Sequence, residues 1–183
     1  MPLKSELRQS LRDIRKNIAD KSELDKIICK NLIASDIFAD AELILFYAAL
    51  KDEVNIDFCI YHALSCGKKA AMPVCTDKNG NMKYYYINSL NDVKTGSFGI
   101  REPDTELCRE VTDFAGSLCI VPAISFDRRG YRLGYGKGYY DRFLKKYAYK
   151  SVGICYNELI VNELPADEYD IPVHYIITQD GVL

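Results

Sequence analysis

Apolar residues recur at helical spacing from the start of the chain. Leu3, Leu7, Leu11, Ile14 and Ile18 share one face of a predicted helix, and that face can pack on a core. One position further on run Lys4, Arg8, Arg12 and Arg15 with Lys16, a cationic stripe beside the apolar one. Residues 22–34 carry a second helix, marked by Leu24, Ile27, Ile28 and Leu32 after a break near Asp20. The period then changes. Leu43, Ile44, Leu45, Phe46 and Tyr47 form a continuous apolar run, which predicts a strand covered on both faces. A helix over residues 56–65 follows, closed by Gly67, and then a strand over residues 70–74 that stops near Pro73. Asn79, Gly80 and Asn81 are a turn signal, with strand character in residues 82–87 beyond it. Residues 88–116 are polar with little periodicity and read mostly as loop. A third buried strand over residues 118–121 ends at Pro122, and a loop rich in glycine and arginine follows Phe126. Tyr140, Phe143, Leu144 and Tyr147 then mark an amphipathic helix, and residues 151–156 and 173–178 complete the strands.

Strands alternating with helices imply an α/β fold: one three-layer α/β/α domain over residues 1–183, with a largely parallel central sheet. A chain of 183 residues with 48% apolar and 27% charged content can bury a sizeable core. The same figures exclude a disordered chain, a collagen-like repeat and a coiled coil. The longest apolar run is the eight residues from Leu43 to Leu50, far short of the roughly 20 that a spanning helix needs. No apolar signal region follows Met1, so a cytoplasmic protein with no membrane partner is expected. The seven cysteines include no C-x-x-C pair, and only His62 and His174 could join them at a metal, so reduced, structural thiols are expected.

Charge changes this picture locally. The 24 Lys and Arg against 26 Asp and Glu give a net charge of −2, which offers no global attraction to nucleic acid. Residues 127–142, however, hold five basic residues against two acidic ones and four of the chain's eleven glycines. That segment carries +3, and so do the first thirty residues. It lies between a buried strand and a helix, and ligands of open α/β sheets bind outside the carboxyl ends of strands. Glycines let backbone N–H groups approach an anion, arginine and lysine supply charge, and a helix N-terminus adds its dipole. An oxyanion or nucleotide-phosphate loop is one reading; a solvated basic loop is the other. The spacing is neither a P-loop nor a dinucleotide fingerprint, because no GxxxxGK[ST] is present and Gly138 falls one residue short. Asp141, in the first turn of the predicted helix, either complements the helix dipole or holds magnesium on a nucleotide. The N-terminal cationic stripe ordinarily snorkels into solvent; docked beside the glycine loop it would add phosphate ligands. Asp52 and Glu53, just past the first buried strand, are either a solvated turn or acceptors for a ligand's N–H edge.

Val121-Pro122 followed by Phe126-Asp127-x-x-Gly130-x-Arg132-Leu133-Gly134-x-Gly136-x-Gly138-Tyr139-Tyr140-Asp141-Arg142 resembles the signature of the 5-formyltetrahydrofolate cyclo-ligase family, also called 5,10-methenyltetrahydrofolate synthetase. Other pieces agree in order along nearly the whole chain. Lys4-x-x-x-Arg8 resembles the family's N-terminal phosphate-binding element, and Tyr47 with Glu53-Val54 its first-strand substrate segment. Phe98-Gly99-Ile100-x-Glu102-Pro103 resembles its central loop, and Leu164-Pro165 with Asp170 its C-terminal one. Many members show Pro and Gly within residues 48–53, some carry Trp where Phe98 stands, and His is frequent at the place of Tyr169.

The resemblance implies a ligase that uses ATP and magnesium to convert 5-formyltetrahydrofolate to 5,10-methenyltetrahydrofolate, releasing ADP and phosphate. ATP's γ-phosphoryl group passes to the formyl oxygen, and N10 attacks the activated carbon. Such a reaction asks a protein for positioning and charge stabilisation. By the same resemblance Lys4, Arg8 and the run Arg132, Leu133, Gly134, Tyr135, Gly136, Lys137, Gly138, Tyr139 and Tyr140 hold ATP, with Arg132 and Lys137 neutralising the transferred phosphoryl group. Magnesium falls to Asp141 and Asp170. The folate, with or without a polyglutamate tail, falls to Glu53, Phe98, Tyr139 and the backbone near Ala48. A monomer is expected. Two other classes are separable by experiment. A nucleic-acid module built on the basic helix would bind with steep salt dependence, and a sugar-phosphate enzyme would not consume ATP.

Overall fold

The structure, a computed structural model, describes residues 4–77, 79–96 and 99–183. Its centre is a seven-stranded sheet. Five strands run parallel: β1 (Leu43–Leu45), β2 (Lys69–Cys75), β6 (Ser117–Pro122), β9 (Lys150–Ile154) and β11 (Tyr175–Thr178). On the two edges β3 (Met82–Ile87) and β12 (Gly181–Val182) pair antiparallel, giving the order β12-β11-β9-β6-β1-β2-β3. Leu43, Ile44 and Leu45 of β1 and Leu118, Cys119, Ile120 and Val121 of β6 are all buried, as continuous apolar runs require of strands covered on both faces.

The helices are α1 (Lys4–Asn17), α2 (Lys21–Ile33), α3 (Asp36–Ala39), α4 (Asp57–Ser65) and α5 (Tyr139–Leu144). α4 links β1 to β2, and α5 lies in the link from β6 to β9. These links step in opposite directions along the sheet, so right-handed crossovers place the two helices on opposite faces. The strand order therefore reverses between β1 and β6, and the crevice outside their carboxyl ends is the topological switch point of the sheet. Ile28, Cys29 and Leu32 of α2 and Cys59, Ile60 and Ala63 of α4 close the core on one side. On α5 the ring of Phe143 meets Tyr84 of β3 at 5.0 Å, Phe114 at 5.6 Å and Tyr147 at 5.3 Å.

The structure departs from the sequence expectations in several elements. Residues 88–116 are not all loop, for a 3-10 turn at Leu90–Asp92 leads into a hairpin of β4 (Val93–Thr95) and β5 (Arg101–Pro103). Three-residue strands are too short to show a period of two. The glycine-rich segment begins as a hairpin of β7 (Ser125–Asp127) and β8 (Arg132–Leu133), with β10 (Ile160–Val161) parallel to β7. α5 stops at Leu144, and Tyr147 is reached only by a turn whose N–H bonds the carbonyls of Phe143 and Leu144. α1 is rotated relative to its apolar stripe: Ile14 is exposed, while Leu11 and Arg15 are the residues it buries. Leu3 lies outside the described residues. All seven cysteines are free thiols. Among the described residues no helix is long and apolar enough to cross a membrane.

Candidate active site

The glycine loop, residues 134–138, runs from β8 to α5 at the switch point. Its root is set by Asp127, a wholly buried carboxylate at the end of β7 that accepts from the backbone N–H of Arg129, Tyr131 and Leu164 and from the Arg129 guanidinium. Gly130, at φ 87°, closes the hairpin in the left-handed region that favours glycine. Further on, Gly136 at φ 94° and Gly138 at φ 70° turn the chain back on itself. The backbone N–H groups of Tyr135, Gly136, Lys137 and Gly138 make no hydrogen bond to any described residue. A row of such free donors is a cradle for an anion.

α1 docks its cationic face along this loop, the second of the two arrangements the sequence left open for the stripe. Arg8 donates from Nε to the carbonyl of Gly134 at 2.8 Å, and its guanidinium lies 3.5 Å from where a Cβ on Gly136 would stand. Arg12 lies over the Tyr135 ring at 5.1 Å. Arg15 is only 1% exposed and donates to the Tyr135 hydroxyl at 2.7 Å. Lys4 reaches the far end, where its ammonium meets Asp170 at 2.7 Å and Asp167 at 3.0 Å. Lys137 is exposed at the crest of the loop, and no ion pair among the described residues engages its ammonium. Leu133 is buried in the core below, and Tyr140 turns inward against that core, where burial pushes its phenol well up.

Beside the loop stand the two predicted metal ligands. Asp141 accepts on Oδ1 from the backbone N–H of Ile171 at 3.3 Å and from Nη2 of Arg132. The Ile171 bond brings Asp141 next to Asp170, which accepts on Oδ2 from Lys4 and from the N–H of Asp167 at 2.8 Å. Among the described residues these bonds fall on one oxygen of each carboxylate. Magnesium takes one or two carboxylates together with phosphate oxygens, and this pair of adjacent, half-used carboxylates fits that donor set. No cluster of three or more His, Cys, Asp or Glu gathers among the described residues, so a cage made wholly of protein ligands is not what the geometry offers. Arg132, expected to face a phosphoryl group, has a side chain only 5% exposed and spends its charge on Asp141 and on the Ile171 carbonyl at 2.6 Å. Burial lowers its pKa from the ordinary arginine value.

Across the crevice lies the segment that follows β1. Ala48 is buried at its start, and Glu53 is 8% exposed, with Oε2 accepting from the N–H of Leu50 at 2.9 Å. Desolvation pushes the Glu53 carboxyl up, against the opposing pull of the Leu50 N–H, the Tyr135 hydroxyl and Arg15. Tyr139 points to the opposite wall, where its hydroxyl donates to the carbonyl of Asp77 at 2.9 Å. Phe98 lies outside the described residues. Two residues at the site receive no site role of their own in the sequence reading. Arg15 continues the cationic stripe at helical spacing, which is the signal that could have found it. Arg142 donates to the carbonyls of Lys137, at 2.8 Å, and of Asn79, tying the β2–β3 turn to the glycine loop, and nothing in the local sequence announces that reach.

Fold and site together define an enzyme of the open α/β type, with a cationic glycine loop and a carboxylate pair at the switch point of its sheet. The family model of 5-formyltetrahydrofolate cyclo-ligases matches residues 1–179, and the chain belongs to that family of ligases. The mouse (Mus musculus) protein named 5-formyltetrahydrofolate cyclo-ligase is 26% identical over 191 residues, covering 98% of this chain and 93% of its own. The NMR structure of Aquifex aeolicus 5,10-methenyltetrahydrofolate synthetase superposes with a TM-score of 0.85 at 32% identity, over 99% of this chain and 92% of its own. A 5,10-methenyltetrahydrofolate synthetase from Mycoplasma pneumoniae, 23% identical, shares the fold at a TM-score of 0.76 over 96% of this chain and 98% of its own.

Proposed function

We propose that this chain converts 5-formyltetrahydrofolate to 5,10-methenyltetrahydrofolate at the expense of ATP, with magnesium, releasing ADP and phosphate. The observation that carries the reading is the docking of α1, with Arg8 on the glycine loop and Lys4 on Asp170, beside the Asp141 carboxylate. In this reading Lys4, Arg8, Lys137 and the free N–H groups of residues 135–138 bind and orient the triphosphate. Asp141 and Asp170 would hold magnesium, and Lys4 and Arg132, each paired with one of these carboxylates, would supply positive charge beside the phosphates. Bound there, the metal supplies charge neutralisation between phosphate oxygens. Glu53 and the backbone near Ala48 orient the folate, with Tyr139 on its other side; Phe98 is assigned to the folate by the family resemblance alone.

The γ-phosphoryl group then moves from ATP to the formyl oxygen; the P–O bond formed there replaces the β–γ bridging P–O bond broken, and ADP leaves. N10 attacks the activated carbon, its proton is lost, and the C–O bond breaks with departure of phosphate as the imidazolinium ring closes. The chain's contribution is positioning and charge placement, which suits phosphoryl transfer. The reading includes one domain over residues 1–183, a monomer, and a cytoplasmic setting that keeps all seven thiols reduced. The basic face of α1 is turned to its own loop, which suits a small polyanion better than nucleic acid, and no membrane partner is needed.

The test is formation of the methenyl chromophore from 5-formyltetrahydrofolate by purified protein. Turnover is expected only with both ATP and magnesium, and folded protein that fails to turn over under those conditions overturns the reading. Asp141→Asn is expected to lower kcat by roughly 100-fold, the scale of losing one aligned electrostatic group. Full activity in that variant would remove Asp141 from the metal site.

A further inference from the structure

Arg15 is almost wholly buried, on a helix whose other arginines keep partial access to solvent. Its guanidinium joins four segments of the chain. It donates to Asp52 Oδ2 from Nε at 3.0 Å and from Nη2 at 2.6 Å, in the turn that follows β1. It donates to the Tyr135 hydroxyl at 2.7 Å, in the glycine loop, and lies 5.7 Å from the centre of that ring. Nη1 reaches the carbonyl of Ala123 at 3.3 Å, between β6 and β7. Asp52 is the neighbour of Glu53, and Tyr135 is the neighbour of Gly136. Burying a guanidinium costs more than burying an apolar side chain of similar size, so packing alone does not account for an arginine here. What an apolar residue could not do is hold a carboxylate and a phenol in one plane through a rigid fork of donors. Arg12 shares the Tyr135 ring but does not bond Asp52, so it braces one side only.

We propose that Arg15 is a positioning residue that locks the turn carrying Glu53 to the glycine loop, so that order in one substrate's half of the crevice depends on order in the other. This rests on the assignment of the turn to the folate and of the loop to ATP. A disturbance on either side passes through one guanidinium–phenol pair, because the Tyr135 hydroxyl that accepts from Arg15 also bonds Glu53. Effects of cutting its two links are therefore shared and do not add.

The experiment measures kcat and both KM values for the wild type, Asp52→Asn, Tyr135→Phe and the double variant. Both substitutions keep side-chain shape and sit at the partly exposed ends of the network, so the fold is expected to survive. Asp52→Asn, which touches no nucleotide group, is expected to raise the KM for ATP by roughly threefold or more. Tyr135→Phe is expected to raise the KM for the folate on a similar scale. The double variant is expected to show no larger a change in either KM than the worse single variant. Arg15→Lys, which keeps the charge but loses the fork, is expected to raise both KM values together with a smaller change in kcat. If each single variant moves only the KM on its own side, or if the effects multiply in the double variant, the coupling role is overturned while the assigned function stands. Folded wild-type protein without turnover overturns the assignment itself, and the coupling role with it.

Discussion

Glu53 shows how one residue divides its effects between stability and binding. Its carboxyl is pushed above the ordinary 4.5 because burial outweighs the N–H of Leu50, the Tyr135 hydroxyl and Arg15. A carboxyl raised in the folded state binds its proton more tightly there than in the unfolded chain. Stability therefore falls as pH rises from the ordinary value through the raised one, and levels off above it. Glu53→Gln removes that ionisation. The variant is expected to be more stable than the wild type above this window, with the gap closing below it, and to have a higher KM for the folate because a charged acceptor is lost. Urea unfolding across a pH series checks this; a gap that stays constant with pH would show that desolvation of the carboxyl is not its source.

Among the elements, the glycine loop is the one whose backbone conformation bears directly on function. Gly138, at φ 70°, occupies a region that costs an ordinary L-residue about 1–2 kcal/mol. A Cβ there would also stand 2.8 Å from Nη1 of Arg142, the side chain that holds the Lys137 carbonyl. Gly138→Ala is expected to lose about 1–2 kcal/mol of stability and to raise the KM for ATP more than it lowers kcat. Denaturant unfolding and steady-state kinetics on the same preparation separate the two effects, and an unchanged KM would detach the loop's shape from nucleotide binding. α1 gives the complementary case. Its amphipathic period is plain in the sequence, yet the side it buries includes Arg15 and excludes Ile14. Period alone places residues on faces; which face docks depends on the partner surface, here the loop and Asp52.

For the whole molecule, the modest net charge of −2 hides two basic segments of +3 each, at the N-terminus and in residues 127–142. The fold sets them against each other at the switch point of the sheet. A ligand that binds only the folded chain stabilises it by mass action, by about 2.7 kcal/mol at 100 times Kd. ATP with magnesium is expected to raise the melting temperature accordingly, and the shift is expected to shrink at high salt and in Lys4→Ala, because the cationic groups are partly exposed and screened. Thermal melts with and without nucleotide measure it. No shift at saturating ATP in folded protein would contradict nucleotide binding at this loop.

The sequence by itself determined the alternation of strands and helices, the buried parallel strands and the segment that forms the glycine loop. Those features are written in local periods, turn residues and a long motif. The short hairpin of β4 and β5 and the one-turn α3 were beyond it, since three or four residues carry no period. Only the tertiary structure decided which partners the charged residues meet. Whether the stripe from Lys4 to Arg15 faced water or protein, whether Asp141 met the backbone of Ile171, and whether Arg132 was free or paired with Asp141 all turn on contacts between residues many positions apart. Lys4 meets Asp170 and Arg15 meets Tyr135 across most of the chain's length. Burial then fixes what each charge costs and which partner it needs, and burial is a property of the assembled molecule.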